Sequence, residues 1–217
     1  MINIVLVYDD LDYDADKGSL GEFFKGCAED FKLLLKTHQH NLSELDSTFI
    51  SDINLIAECT KVNSRNFLLV TYSHGYEDCL LHEYKEKKYV VSNNIISFKN
   101  SFFYTWSCYS GLQLGEELHK LGSVIFFGYT DEVIGIEQGG YMDIFIKCAN
   151  EGMRLFLNGL SVEDSYYGML DFYKKSVFEL SKSRFDTIAA SALGSNRRAL
   201  IHYADGLENL TIQDFIL

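Results

Sequence analysis

Two residues with complementary chemistry, His74 and Cys108, each stand where an apolar run stops abruptly. Phe67-Leu68-Leu69-Val70-Thr71-Tyr72 leads into Ser73-His74-Gly75, and Phe102-Phe103-Tyr104-Thr105-Trp106 leads into Ser107-Cys108-Tyr109-Ser110-Gly111. A thiol beside an imidazole is the minimum equipment for nucleophilic catalysis on a carbonyl. A cysteine is weakly ionised at neutral pH, so it needs a neighbour that favours the thiolate, and His74 is the candidate. Attack on a carbonyl also needs hydrogen-bond donors aimed at the developing oxyanion, which the backbone N–H groups of Gly75 and Cys108 can supply. Gly75 has no side chain to obstruct that approach. A turn at Gly111 would let the chain leave its strand sharply and start a helix, setting Cys108 near a helix N-terminus that favours negative charge.

Both runs have the texture of strands buried in an α/β sheet, where helices cover both faces and the carboxyl ends of the strands carry the site. As parallel neighbours they bring His74 and Cys108 out side by side. The rest of the chain alternates strand and helix signals. Residues 2–8 read as a first strand ending in Asp9-Asp10, and the acidic stretch to Lys17 reads as a loop. Ser19 with Glu22 forms a capping-box pattern for a helix that keeps Leu20, Phe23, Phe24, Cys27, Phe31, Leu34 and Leu35 on one face to about Lys36. Residues 38–48 read as polar and irregular, and Phe49, Ile53 and Ile56 mark a shorter helix leading to the His74 strand, a βαβ unit with right-handed crossover.

Residues 76–100 differ in texture: segments 78–84 and 89–92 flank the charged tip Lys85-Glu86-Lys87-Lys88, which suits a small hairpin at the rim of the sheet. After Gly111, Leu114, Leu118 and Leu121 predict a short helix that Gly122 ends. Residues 124–129 read as the next buried strand, and its exit, from Thr130-Asp131-Glu132 through Gly139-Gly140, as a loop on the same edge. The C-terminal third is helical. Met142, Phe145, Ala149, Met153 and Phe156 share one face, then Ser161 with Asp164 starts a helix whose stripe is Val162, Tyr166, Met169, Tyr173, Val177 and Leu180. A shorter helix over 185–193 precedes a strand-like segment, 199–203. No internal repeat or domain boundary interrupts this pattern, so residues 1–217 are expected to form one domain.

Composition agrees with a single globular α/β domain of 217 residues with 47% hydrophobic and 23% charged side chains. A net charge of -12 argues against nucleic acid or an anionic membrane as a partner, since phosphate binding needs clustered Lys and Arg. No apolar run approaches the roughly 18 residues of a membrane span. No basic, cleavable leader opens the sequence, and five irregularly spaced cysteines suit reduced thiols, so a cytoplasmic location is expected. His74, Cys79 and His82 fit no common zinc spacing, and neither metal nor cofactor is expected. Cys27, Cys59 and Cys148 read as core. Asp9 and Asp10 can contact a basic group on a substrate, although acidic loops are more often simply solvated.

The paired motifs resemble those of the caspase-like cysteine peptidases, the superfamily of caspases, metacaspases, legumain, separase and the bacterial CHAT-type proteases. The match is to Ser73-His74-Gly75 after one strand and Cys108-x-Ser110-Gly111 after the next. Gly128-Tyr129-Thr130, and Phe156 with Gly159, Ser161 and Glu163, are further echoes of the CHAT group. The resemblance implies a caspase-like, mostly parallel sheet flanked by helices on both faces, a His74/Cys108 dyad without an obligatory third residue, and cleavage of a protein or peptide substrate, as in a bacterial defence or cell-death system. The different-class alternative is a caspase-like protein-interaction module that keeps the dyad by descent. A weaker third is another acyl-transfer or thiol hydrolase.

Where caspases carry Gln-Ala-Cys, this chain has Trp106-Ser107-Cys108, and where metacaspases and legumains carry an acidic residue, it has Trp106. Trp106 and Tyr109 are therefore candidates for shaping the substrate pocket, which favours an apolar or bulky residue before the cleaved bond unless Asp131 or Glu132 restores charge. A peptidase that fills its whole chain with the catalytic domain is expected to be latent alone and controlled by a regulatory protein partner, self-association or nicking, acting on segments 76–100 and 130–140.

Overall fold

Continuous apolar runs form the middle of the molecule, and the structure, a computed structural model, describes residues 1–11, 20–82, 87–137 and 140–216. The chain opens with β1 (Ile2–Tyr8), buried along its whole length, and passes through α1 (Gly21–Leu35) to β2 (His40–Leu45). α2 (Asp52–Val62) returns it to β3 (Phe67–Tyr72). Three short strands follow: β4 (His74–Tyr76), β5 (Cys79–His82) and β6 (Lys87–Val91). β7 (Ser101–Trp106), α3 (Gln113–Leu121) and β8 (Ile125–Tyr129) then complete the centre. α4 (Met142–Leu157), α5 (Val162–Ser181) and α6 (Thr187–Ala199) lead into β9 (Leu200–Tyr203).

Among the described residues the main sheet has the order β2-β1-β3-β7-β8-β9. All neighbours are parallel except β8 and β9. Side chains alternate across each strand, so one sequence feeds two cores. Phe102, Tyr104 and Trp106 of β7 pack with α1, α4 and α5, while Phe103 packs with Leu55, Cys59, Leu114 and Leu118 of α2 and α3. The expected α/β architecture, a mostly parallel sheet with helices on both faces, is present. The rim hairpin is present as β5 and β6, with β4 added as a third strand that carries His74. Lys85 and Glu86 of its tip lie outside the described residues.

Local signals mark several boundaries. Ser161 Oγ accepts the Asp164 N–H at 3.0 Å and caps α5, and Gly122 ends α3 with φ +123°, a left-handed conformation that favours glycine. The capping box of α1 cannot be compared, because Ser19 lies outside the described residues; Leu20 is the N-cap, and Glu137 Oε1 accepts the Phe23 N–H at 3.0 Å.

Other expectations are corrected. Segment 38–48 holds β2, a strand on the edge of the sheet, whose half-polar sequence reflects one paired side and partial solvent contact. α2 buries Leu55, Cys59 and Val62 instead of the anticipated face, leaving Ile53 74% exposed. Phe185 is exposed before α6, which runs on to Ala199.

Burial of titratable side chains gives the fold a pH limit. Burial pushes the Cys148 thiol up to about 12, and it also raises Cys27, Tyr72, Tyr104, Tyr129 and Tyr173. In the unfolded chain these groups ionise near their ordinary values, about 8.5 for Cys and 10 for Tyr. Because the folded values lie above the unfolded ones, the stabilisation is complete below the unfolded values and is lost as pH rises. Each thiol or phenol ionised only in the unfolded chain removes about 1.4 kcal/mol per pH unit. The denaturant midpoint is expected to fall steadily from pH 8.5 to pH 10.5; a flat profile would contradict the burial.

Candidate active site

β3 and β7 pair in parallel with Tyr72 opposite Trp106. His74 and Cys108 therefore leave from matching positions at the carboxyl edge, on strands about 4.8 Å apart. Immediately beyond, β4 pairs with β5, with His74 opposite Leu81 and Gly75 opposite Leu80. Gly75 lies against the backbone of the Cys108 segment: a Cβ there would stand 2.7 Å from the Cys108 carbonyl oxygen and 2.9 Å from Ser107 Cβ. Gly75→Ala is expected to cost about 1–3 kcal/mol through overpacking. It should also slow any thiol chemistry about tenfold, because a displacement of the two segments misaligns them. A thermal melt and a turnover assay on the same sample check both effects.

His74, Gly75, Cys108, Tyr109 and Glu132 line one cleft of about 650 Å³, together with Tyr76, Leu81 and Lys88. Tyr109 also borders an adjoining hollow of about 430 Å³ with Tyr76, Glu77, Asp78 and Gln113. Lys88 is paired with Asp78 at 3.1 Å. Asp131 is exposed and lies outside the lining of either cavity. Trp106 is corrected: it is 1% exposed, 4.7 Å from the Phe23 ring and 5.9 Å from Phe24, and does not line the cleft. It supports the site from below, since the Phe24 ring that it touches also stands edge-on to His74 at 5.2 Å.

Short bonds fix the turn that carries Cys108. Ser110 Oγ donates to the Ser107 carbonyl at 2.9 Å and accepts the Tyr129 N–H at 3.4 Å. The Gly111 N–H donates to the Tyr129 carbonyl at 2.7 Å, and a Cβ at Gly111 would collide with Ile201 Cγ2. Glycine is required there by close packing on β8 and β9. The helix starts just past Gly111, as anticipated: Leu112 is the N-cap of α3, and Cys108 stands on the turn ahead of it. Tyr109, next to the thiol, has φ +55°, a left-handed conformation that costs a side-chain-bearing residue about 1–2 kcal/mol. Its N–H donates to the Asp131 carbonyl at 3.1 Å.

The loop after β8 closes on the sulfur. The Val133 N–H donates to Cys108 Sγ at 3.4 Å, and the Val133 carbonyl lies 3.8 Å from the same atom as an acceptor for the thiol. Burial raises the Cys108 pKa first; the Val133 N–H opposes it, Glu132 adds to the rise, the Cys108 N–H opposes, and Asp131 adds again. The half-buried thiol is therefore protonated at neutral pH in this arrangement, and its thiolate fraction grows as pH rises.

Beneath the cleft runs a layer of buried hydroxyls. Tyr89 and Ser73 share a hydrogen bond of 2.5 Å, and Ser73 Oγ also donates to the His74 carbonyl at 3.2 Å. Thr71 donates to Thr105 at 2.7 Å, and Thr105 and Ser107 are 2.8 Å apart. To one side, Ser47 Oγ donates to Asp10 at 2.5 Å and to Asp9 at 3.2 Å, while His82 Nε2 donates to the Ser47 carbonyl at 2.8 Å with Nδ1 facing Asp9 at 3.7 Å. Asp9 and Asp10 thus tie β1 to the loop after β2 and to β5, and Asp9 is buried, which corrects the favoured reading of a solvated acidic loop. Among the described residues no group of three or more His, Cys, Asp or Glu is placed to hold a metal.

Val133, Asn196 and the Ser47–His82 pair had no sequence signal. Asn196 stands between Ser195 and Arg197 in the polar last turns of α6, and only its burial marks it out.

No family model matches the chain, and no curated protein does. Solved structures do. The crystal structure of the Arg-specific cysteine proteinase gingipain R matches with a TM-score of 0.62 at 12% identity, over 96% of this chain and 47% of that one. The complex of Porphyromonas gingivalis RgpB pro- and mature domains matches with a TM-score of 0.61 at 12% identity, over 96% of this chain and 48% of that one. The chain spans about half the length of these solved chains. At such identity the likeness establishes the fold, the caspase-like α/β fold of gingipain R.

Proposed function

We propose that this chain, with the fold of a caspase-like cysteine proteinase, is a cysteine endopeptidase acting through His74 and Cys108. The observation that carries the proposal is the convergence of His74, Gly75 and Cys108 on one cleft at the carboxyl edge of the sheet. In the proposed chemistry His74 takes the thiol proton, and the Cys108 sulfur attacks the scissile carbonyl. The backbone N–H groups of Gly75 and Cys108 meet the oxyanion. His74 then returns the proton to the leaving amine, and water hydrolyses the acyl-enzyme.

With Trp106 in the core, the basis for an apolar specificity pocket is gone. Glu132 lines the cleft, and the cation opposite, Lys88, is already paired with Asp78. A basic side chain before the cleaved bond therefore fits best, the preference carried in the name of Arg-specific gingipain R. Glu132→Lys is expected to lower cleavage after Arg or Lys about tenfold or more while sparing uncharged residues, as read from a positional peptide library. Equal losses for every residue would remove Glu132 from specificity.

The finer assignment, a CHAT-type peptidase domain over residues 1–217 serving bacterial defence, is supported by the sequence motifs, and a cytoplasmic location by the five irregularly spaced cysteines. No helix among the described residues is long and apolar enough to cross a membrane. Control by a protein partner is supported by the thiol's burial and its acidic neighbours, which keep it protonated. The same observation favours the second reading, a non-catalytic interaction module. An Arg-containing peptide electrophile decides between them: stoichiometric labelling at Cys108, with cleavage of the matching peptide, supports the peptidase. Labelling that fails with every peptide and every added partner supports the module.

A further inference from the structure

We propose that Asn196 is a positioning residue for Cys108, acting through the backbone of Ile134 and Val133; the proposal deepens the assignment of Cys108 as nucleophile. Asn196 is 1% exposed on α6. Its Oδ1 accepts the Ile134 N–H at 2.9 Å, and its Nδ2 donates to the Ile134 carbonyl at 2.8 Å. One carboxamide thus grips both polar groups of one residue, as a neighbouring strand would. The Ile134 side chain is 39% exposed, so the carboxamide is a principal hold on this part of the loop.

The adjacent peptide is the one that reaches the sulfur, with the Val133 N–H 3.4 Å from Sγ. Elsewhere the loop is held by the buried Val133 side chain, by the Tyr109 N–H, which donates to the Asp131 carbonyl at 3.1 Å, and by ties toward its ends. The Thr130 N–H donates to the Ala199 carbonyl at 2.7 Å, and Glu137 accepts from Phe23 at 3.0 Å. Asn196 fixes the middle, where a small rotation would turn the Val133 N–H away from Sγ.

That N–H matters because much of the surroundings disfavour a thiolate. Glu132 and Asp131 come from the loop, Tyr109 stands beside the thiol, and His74 and Lys88 face the cleft from β4 and β6. Burial and the two loop carboxylates raise the pKa, and only the N–H groups of Val133 and Cys108 itself are among the leading influences that lower it. A donor to sulfur favours the charged form. Losing the Val133 donor should therefore make the thiolate harder to form.

The test is the rate of Cys108 alkylation by iodoacetamide from pH 6 to pH 10, located by peptide mapping. Wild type is compared with Asn196→Ala, and with Ile134→Pro, which deletes the Ile134 N–H that Asn196 Oδ1 accepts. Folding is confirmed by circular dichroism. Both variants are expected to shift the alkylation inflection about one unit upward, making labelling about tenfold slower at pH 7.5. A purely structural role would lower the melting temperature without moving the inflection. An unmoved inflection in folded Asn196→Ala overturns the proposal, and so does faster labelling, which would mean that the loop shields the sulfur. If Asn196→Ala does not fold, Ile134→Pro decides by the same criteria. Alkylation needs no peptide turnover, so a shifted inflection in a protein inert toward every peptide with every added partner would refute the peptidase and leave the role of Asn196 standing.

Discussion

Cys108→Ala is expected to abolish peptide cleavage, a loss on the order of 10⁴-fold or more, while the fold survives. The loss is that large because a methyl group cannot form the acyl intermediate, and donors and binding alone leave little rate. The fold survives because Cys108 is half-buried beside a cleft, and removing one sulfur there leaves little new void, about 1 kcal/mol or less. Cys148→Ala is the counter-case. Its thiol is buried between α4 and α5, with Sγ 3.6 Å from Ser176 Oγ, so its loss should lower the melting temperature and leave turnover alone. Cys27→Ala should behave likewise. Cleavage by purified Cys108→Ala, or a dead but folded Cys148→Ala, would mean that the wrong thiol has been chosen.

The next largest effect is expected from His74→Ala, a fall in turnover of about 10²–10⁴-fold. The pH profile makes the test specific. With His74 gone, Cys108 must ionise unaided, and burial together with Glu132 and Asp131 holds its pKa above the ordinary thiol range. Residual kcat/KM should therefore climb about tenfold per pH unit through the neutral and mildly alkaline range, because each unit below the pKa multiplies the thiolate fraction by about ten. The wild-type profile should level off earlier. A His74→Ala enzyme with wild-type turnover, or one whose residual rate ignores pH, would exclude His74 as the base.

What the sequence disclosed, and what it hid, follows from which interactions are local. β1, β3, β7 and β8 were legible because burial on both faces leaves an unbroken apolar run. β2 was hidden because an edge strand may keep polar residues such as Asn41 and Glu44. The ends of β3 and β7 announced His74 and Cys108, but not the direction in which Trp106 points. Alternation along β7 sends Trp106 to the α1 side with Phe102 and Tyr104, and only packing reveals that the cleft is elsewhere. The ties of Val133 to sulfur and of Asn196 to Ile134 join residues far apart in sequence through backbone atoms, which leave no trace in residue type.

The order of the sheet has a consequence for biosynthesis. β2, β1 and β3 all come from the first third of the chain, and β7, β8 and β9 all come after it, with the seam between β3 and β7. His74 follows one side of that seam and Cys108 the other. The imidazole of His74 leaves the ribosome 34 residues ahead of the Cys108 thiol, and the cleft is incomplete until β7 has docked on β3. The growing polypeptide is thus unable to attack itself or its surroundings by the proposed chemistry during early elongation. A translation product truncated before β7 is inert by construction, and competence begins only when the two portions have joined.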